Sequence, residues 1–153
     1  MKITISLQHT LEELKSKGFE FTIGDRPIKE MERRDVEKWP GRVEVELLPI
    51  PDDWDCDERG WSPKGYHALG LSALIAVGVE HPELLQEKMT ITATQAVDDY
   101  TSHSFPFYAC LRLNEGKKLF SGDGCGFVPF CLRKKEKYAY KLLGLFVNTD
   151  AAQ

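Results

Sequence analysis

The chain has 153 residues, of which 42% are apolar and 29% charged, the composition of a globular protein rather than a disordered or fibrous one. Its 20 basic and 24 acidic residues leave a net charge of -4, which argues against nucleic acid as a partner, because that role wants a strongly basic face. The longest apolar-rich run, Leu69 to Val79, is 11 residues; that is a buried helix rather than a membrane span, and the opening MKITISLQHT lacks the apolar core of a signal peptide.

In chain order, the first expected element is a strand over Lys2 to Leu7, where Ile3, Ile5 and Leu7 alternate with polar residues. Thr10 and Glu13 then have capping-box spacing, so a short helix with Leu11 and Leu14 inward should open there and stop at Gly18. Phe19 to Ile23 reads as a second strand. Asp25 to Lys38 is highly charged and reads as a helix with Ile28, Met31, Val36 and Trp39 inward, ended by Pro40 and Gly41. In Arg42 to Leu48, Val43, Val45 and Leu47 face Glu44 and Glu46 with a period of two, which predicts a strand with one wet face.

Pro49 to Lys64 is a loop by composition. Ser62 and Pro63 offer a cap and first turn for a helix over Tyr66 to Val77, apolar on all sides and therefore central, with Gly78 as its stop. A short second helix starts at Pro82. Past Lys88 the pattern turns extended: Met89 to Thr94, Phe105 to Leu113, Lys118 to Phe120, Phe127 to Leu132 and Tyr138 to Val147 read as strands. A hairpin loop at Asn114–Gly116 and turns at 121–126 and 133–137 join them. Short links between successive strands favour an antiparallel meander. The expected fold is one α+β domain over residues 1–153, an antiparallel sheet with a C-terminal meander packed on a buried central helix.

The four cysteines, Cys56, Cys110, Cys125 and Cys131, form no CxxC pair and match no zinc pattern. With no leader peptide read, the expected compartment is the cytoplasm, where thiols stay reduced. Charge is uneven along the chain. Residues 1–64 hold 11 basic and 15 acidic side chains, whereas 105–153 hold 8 and 4, so a charged partner could be steered to one face.

Five places invite a chemical reading. Asp52, Asp53, Asp55, Asp57 and Glu58 alternate as hard-cation ligands do, but counting from Asp53 an EF-hand needs Gly where Glu58 stands and Glu where Lys64 stands. No metal is assigned. Trp54 and Trp61 lie in the same polar stretch with Tyr66 close behind, and Trp is enriched where proteins bind one another. Asp99 and His103 are four apart, the spacing at which a carboxylate orients an imidazole on a helical turn; no nucleophile turn accompanies them. The glycines of Gly122–Gly126 precede a strand-like run, so neither a phosphate cradle nor a nucleophile elbow is formed. Arg133–Lys137 is a basic turn. His9, His67 and His81 read as isolated, with His67 beside the central helix the one that stands out.

The sequence therefore leads to an expectation of a small non-catalytic binding protein, an adaptor, inhibitor or immunity-type partner. Its recognition surface is expected to include Trp54, Trp61, Tyr66, Asp55 and Asp57, and its partner to be a protein. A small acid–base enzyme using Asp99 and His103, and a binder of a small ligand between sheet and helix, are the rival readings. No cofactor is implied, nor a membrane partner.

Overall fold

The computed structural model of the protein describes residues 1–21, 34–51, 61–94, 107–124 and 141–150. In chain order the elements are β1 (Lys2–Ser6), α1 (Leu11–Ser16), β2 (Glu20–Phe21), α2 (Arg34–Lys38), β3 (Arg42–Pro49) and β4 (Tyr66–Ala68). They continue with α3 (Leu71–Glu80), a 3-10 turn at Pro82–Leu84, β5 (Met89–Thr92), β6 (Phe107–Asn114), β7 (Lys117–Gly124) and β8 (Lys141–Asn148). The fold is α+β, and all eight described strands join one sheet in the order β1-β3-β8-β5-β6-β7-β2, with β4 also paired to β8.

Local sequence patterns account for many of these elements. Thr10 accepts from the Glu13 N–H at 3.2 Å while Glu13 accepts from the Thr10 N–H at 3.1 Å, so the capping box forms and sets the start of α1. The valines of β3 are buried and Glu44 is exposed, as the period of two requires. The β6–β7 turn is tight, with Glu115 and Gly116 both at positive φ, the backbone of a hairpin that follows the right-handed strand twist.

Three expectations about architecture are corrected. The sheet is mixed, because β5 pairs β8 and β2 pairs β7 in parallel. The meander covers only β5–β6–β7; β8 does not follow β7 but lies between β3 and β5. The run Tyr66 to Val77 is not one helix. Tyr66–Ala68 pairs with β8, and the helix begins at Leu71. An apolar run has the same composition in a buried strand and a buried helix, so periodicity could not separate them. Ser62 consequently caps no helix; its hydroxyl donates to the Tyr66 carbonyl at 2.6 Å.

Gly78 is also inside α3 rather than after it. A Cβ there would collide with Leu14 Cδ1 and crowd Leu111 and Phe19, so the glycine is what lets α1 and α3 press together. The turn expected from residue 121 is instead strand through Gly124. The expected elements over 25–33 and 127–132 lie outside the described residues.

Helices α1 and α3 cover one face of the sheet. Ile5, Leu14, Leu74, Ile75, Ile91, Leu111 and Leu145 are fully enclosed there. Alternation along β5 and β8 sends Thr90, Thr92, Leu142 and Phe146 to the opposite face, yet these are buried too. Thr92 satisfies its hydroxyl by donating to the Ala109 carbonyl at 2.9 Å, which is what a buried threonine requires.

Candidate functional site

Of the expected recognition residues, Trp61 and Tyr66 are described; Trp54, Asp55 and Asp57 lie outside the described residues, as do Asp99 and His103. Phe146 brings Trp61 and Tyr66 together. It sits on the face of β8 opposite α3, and a Cβ on Gly144 would come within 2.7 Å of its ring. The bare glycine therefore lets the ring lie along the strand as a shelf. Trp61 meets that ring edge-on at 5.3 Å between centroids, and Tyr66 does so at 6.5 Å, the T-shaped arrangement that aromatic quadrupoles favour.

Hydrogen bonds anchor the Trp61 backbone and the Tyr66 hydroxyl. The Trp61 N–H donates to the Thr94 carbonyl at 3.2 Å, and the Thr94 hydroxyl returns a bond to the Trp61 carbonyl at 2.7 Å. The Tyr66 hydroxyl donates to Glu46 at 3.0 Å. That bond and partial burial raise the tyrosine pKa, so the phenol remains a neutral donor. Lys2 Nζ lies 3.8 Å from both Glu44 and Glu46. The result is an aromatic shelf with a carboxylate rim. Trp61 and Tyr66 are both half-buried.

At the N-terminal end of α3 the structure assembles a pair that sequence spacing does not reveal. Asp35, on α2, is 3% exposed. Its Oδ2 accepts the Gly70 N–H at 2.8 Å, and its Oδ1 lies 3.2 Å from His67 Nε2. A carboxylate only accepts, so Nε2 carries the proton. The indole of Trp39 packs on the imidazole at 5.0 Å. Asp35 thus supplies from a distant element the acceptor that α3 lacks, since its N-cap Gly70 makes no side-chain cap bond. A buried carboxylate orienting a partly exposed imidazole is also the pairing used for general-base catalysis. Among the described residues, no hydroxyl or thiol is hydrogen-bonded to the remaining nitrogen of His67.

At the C-terminal end of α3, Glu80 Oε2 accepts the Ser6 N–H at 2.7 Å and lies 2.9 Å from His9 Nε2, while Arg42 donates to Oε1 at 2.8 Å. His9 Nδ1 is 2.7 Å from Glu13. His81 lies 3.2 Å from the Thr4 carbonyl. His9 and His81 are therefore not isolated, contrary to the reading of the sequence. The four-residue spacing that singles out Asp99 and His103 also separates His9 from Glu13, and that was the available signal. Asp35 and Glu80 had none, because their partners are distant in the chain.

Cys110 is buried, with Sγ 3.2 Å from the Ser121 hydroxyl; the other three cysteines lie outside the described residues. Among the described residues no group of three His, Cys, Asp or Glu side chains is placed to hold a metal ion. A cleft of about 340 Å³ opens at the β5–β6 end of the sheet, lined in part by Lys88, Thr90, Arg112 and Asn114. It is not between the sheet and α3, where the rival small-ligand reading places a pocket. No helix among the described residues is long and apolar enough to cross a membrane. The chain matches no protein-family model, no curated protein and no solved structure.

Proposed function

We propose that the chain is a non-catalytic binding protein that recognises a protein partner through the aromatic shelf and its acidic rim, in a reducing, cytoplasmic setting. The observation that carries this reading is the packing of two half-buried aromatic residues, Trp61 and Tyr66, on Phe146, with the Trp61 backbone tied to Thr94 and the Tyr66 hydroxyl to Glu46. Rigid aromatic rings supply large contact area with little entropy to lose on binding. Trp54, Asp55 and Asp57 are assigned to recognition in the same proposal. The acids set association rate and salt dependence more than affinity, which favours a partner with a basic contact segment.

The test is quantitative capture from the native cell with wild-type bait and with Trp61→Ala. A central tryptophan truncated at an interface costs about 2 kcal/mol or more, roughly a thirtyfold loss of affinity. Circular dichroism and melting come first, because Trp61 also props Phe146. A folded Trp61→Ala that captures the same partner at wild-type strength overturns the reading.

A second reading, a small acid–base enzyme, draws support from the Asp35–His67 pair. The β5–β6 cleft is remote from that pair. The β5–β6 cleft opens at Met89, paired with Lys141, whereas His67 pairs with Val147, six residues along β8 or about 20 Å. If folded His67→Gln and Asp99→Asn variants lose a cellular effect while capture persists, this reading replaces the first.

A further inference from the structure

We propose that His9, held between Glu13 and Glu80, is a proton-operated latch that fastens the start of α1 to the C-terminal end of α3. Its two ring nitrogens lie 2.7 Å and 2.9 Å from carboxylate oxygens on different helices. Carboxylates only accept, and a neutral imidazole has one N–H. Both contacts are hydrogen bonds only when the ring carries two protons. The spacing of the two acids therefore specifies the imidazolium.

The surrounding charges support the same state. Glu13 approaches from α1 and Glu80 from α3. Arg42 reaches in from β3 onto the other oxygen of Glu80, and His81 beyond α3 turns to the Thr4 carbonyl and to Glu83, which lies 3.3 Å away. Burial by itself lowers the His9 pKa; the hydrogen bonds and charges of Glu13 and Glu80 outweigh it and raise the value above the ordinary 6.5. Glu13 is held below its ordinary 4.5, chiefly by His9 and then by the Thr10 N–H. Burial pushes Glu80 up, but the Ser6 N–H, Arg42 and His9 together bring it below 4.5.

When His9 loses a proton, one carboxylate must face a lone pair. Glu80 is the more enclosed, at 16% side-chain exposure against 46% for Glu13, and it also holds the Ser6 N–H. The remaining proton therefore stays on Nε2, and Glu13 is released. Glu13 closes the capping box on Thr10, so its release loosens the first turn of α1.

The sign of the pH dependence follows. A raised histidine contributes stability in full below its ordinary 6.5, and that contribution is lost as pH rises through the folded value. Lowered carboxylates contribute above their ordinary 4.5, and their share is lost as pH falls through the folded values. The latch is closed between those two ordinary values and opens from both sides.

The test is a proton and nitrogen NMR titration of the full chain, wild type and Glu13→Gln, with amide exchange of α1 recorded at the same pH values. Glu13 is surface-exposed, and glutamine retains an oxygen for the Thr10 N–H, so this variant tests the charge with little burden on the fold. The expected results are a His9 midpoint above 6.5 in the wild type, a downward shift in Glu13→Gln, and an Nε2–H tautomer in the alkaline form. The Glu13 and Leu14 amides should also gain, across the His9 titration, an acceleration of exchange that Glu13→Gln lacks. A wild-type midpoint at or below 6.5 overturns the proposal, as does a midpoint that Glu13→Gln leaves in place.

Discussion

Each end of α3 carries a carboxylate beside an imidazole, Asp35 with His67 at the start and Glu80 with His9 at the finish, and the helix dipole makes the two pairs unequal. At the start the carboxylate is the favoured partner. It arrives from α2, is enclosed, and answers a backbone N–H that α3 leaves open. At the finish the carboxylate belongs to the helix itself and sits where negative charge is unwelcome. Two cations from other elements, His9 and Arg42, offset it. The first end is secured by one buried acceptor, and the second by a shared, partly solvated network whose strength moves with pH. One chemical pair thus serves as a fixed anchor or as a titratable contact, depending on burial and on which end of the dipole it meets.

That difference predicts a ranking. The largest effect is expected for Asp35→Ala, which strands the Gly70 N–H and removes the partner of His67; leaving a buried donor unsatisfied costs about 2 kcal/mol. Urea unfolding measures it, and Asp35→Asn, which keeps an acceptor oxygen, should lose less. Equal losses for the two variants would show that the charge matters there and the acceptor does not.

Gly78→Ala comes next. The added methyl gains about 1 kcal/mol of helix propensity but overpacks Leu14, at a cost of about 1–3 kcal/mol, so a net loss of roughly 1 kcal/mol is expected. The double variant with Leu14→Ala should lose less than the sum of the two single changes, because the space Leu14 vacates admits the methyl. A net gain from Gly78→Ala alone would mean that α1 shifts freely, which would break the picture of α1 pinned to the finish of α3.

Glu80→Gln should have the smallest effect, and its signature is pH rather than size. The native carboxylate titrates below 4.5, so wild type should exceed the variant by about 0.5 kcal/mol at neutral pH, a typical hydrogen-bond contribution discounted for partial exposure. The difference should close as acid protonates Glu80. A pH-independent difference would point to lost packing instead.

The elements that were legible in the sequence are those decided within a few residues. The Thr10–Glu13 box, the valine alternation of β3 and the Asn114–Gly116 hairpin each carry their own geometry. What was not legible depends on partners far along the chain. Nothing local to Lys141–Asn148 says that it pairs with β3, β4 and β5. Nothing local to Asp35 distinguishes it from the acids around it, although Val36 on its short helix and Trp39 just after it indicated which side faces inward. For the proposed recognition surface, the aromatic composition pointed to Trp61 and Tyr66, but their meeting on Phe146 is a contact between distant parts of the chain that no local pattern shows.

The position of β8 also has a consequence for how the chain comes to be folded. Phe146 pairs with Glu46 and with Ala68, and Leu142 with Thr90, so the strand joining the two halves of the sheet is synthesised after both. Until residue 148 leaves the ribosome, β1–β3 and β5–β6–β7 have no strand between them, and β3 and β5 are unpaired edges, the kind of surface on which nascent chains aggregate or recruit chaperones. Closure then depends on contacts of very long sequence separation, which form slowly. Ribosome-stalled chains should accordingly remain protease-sensitive until β8 is free, and acquire resistance in both halves together.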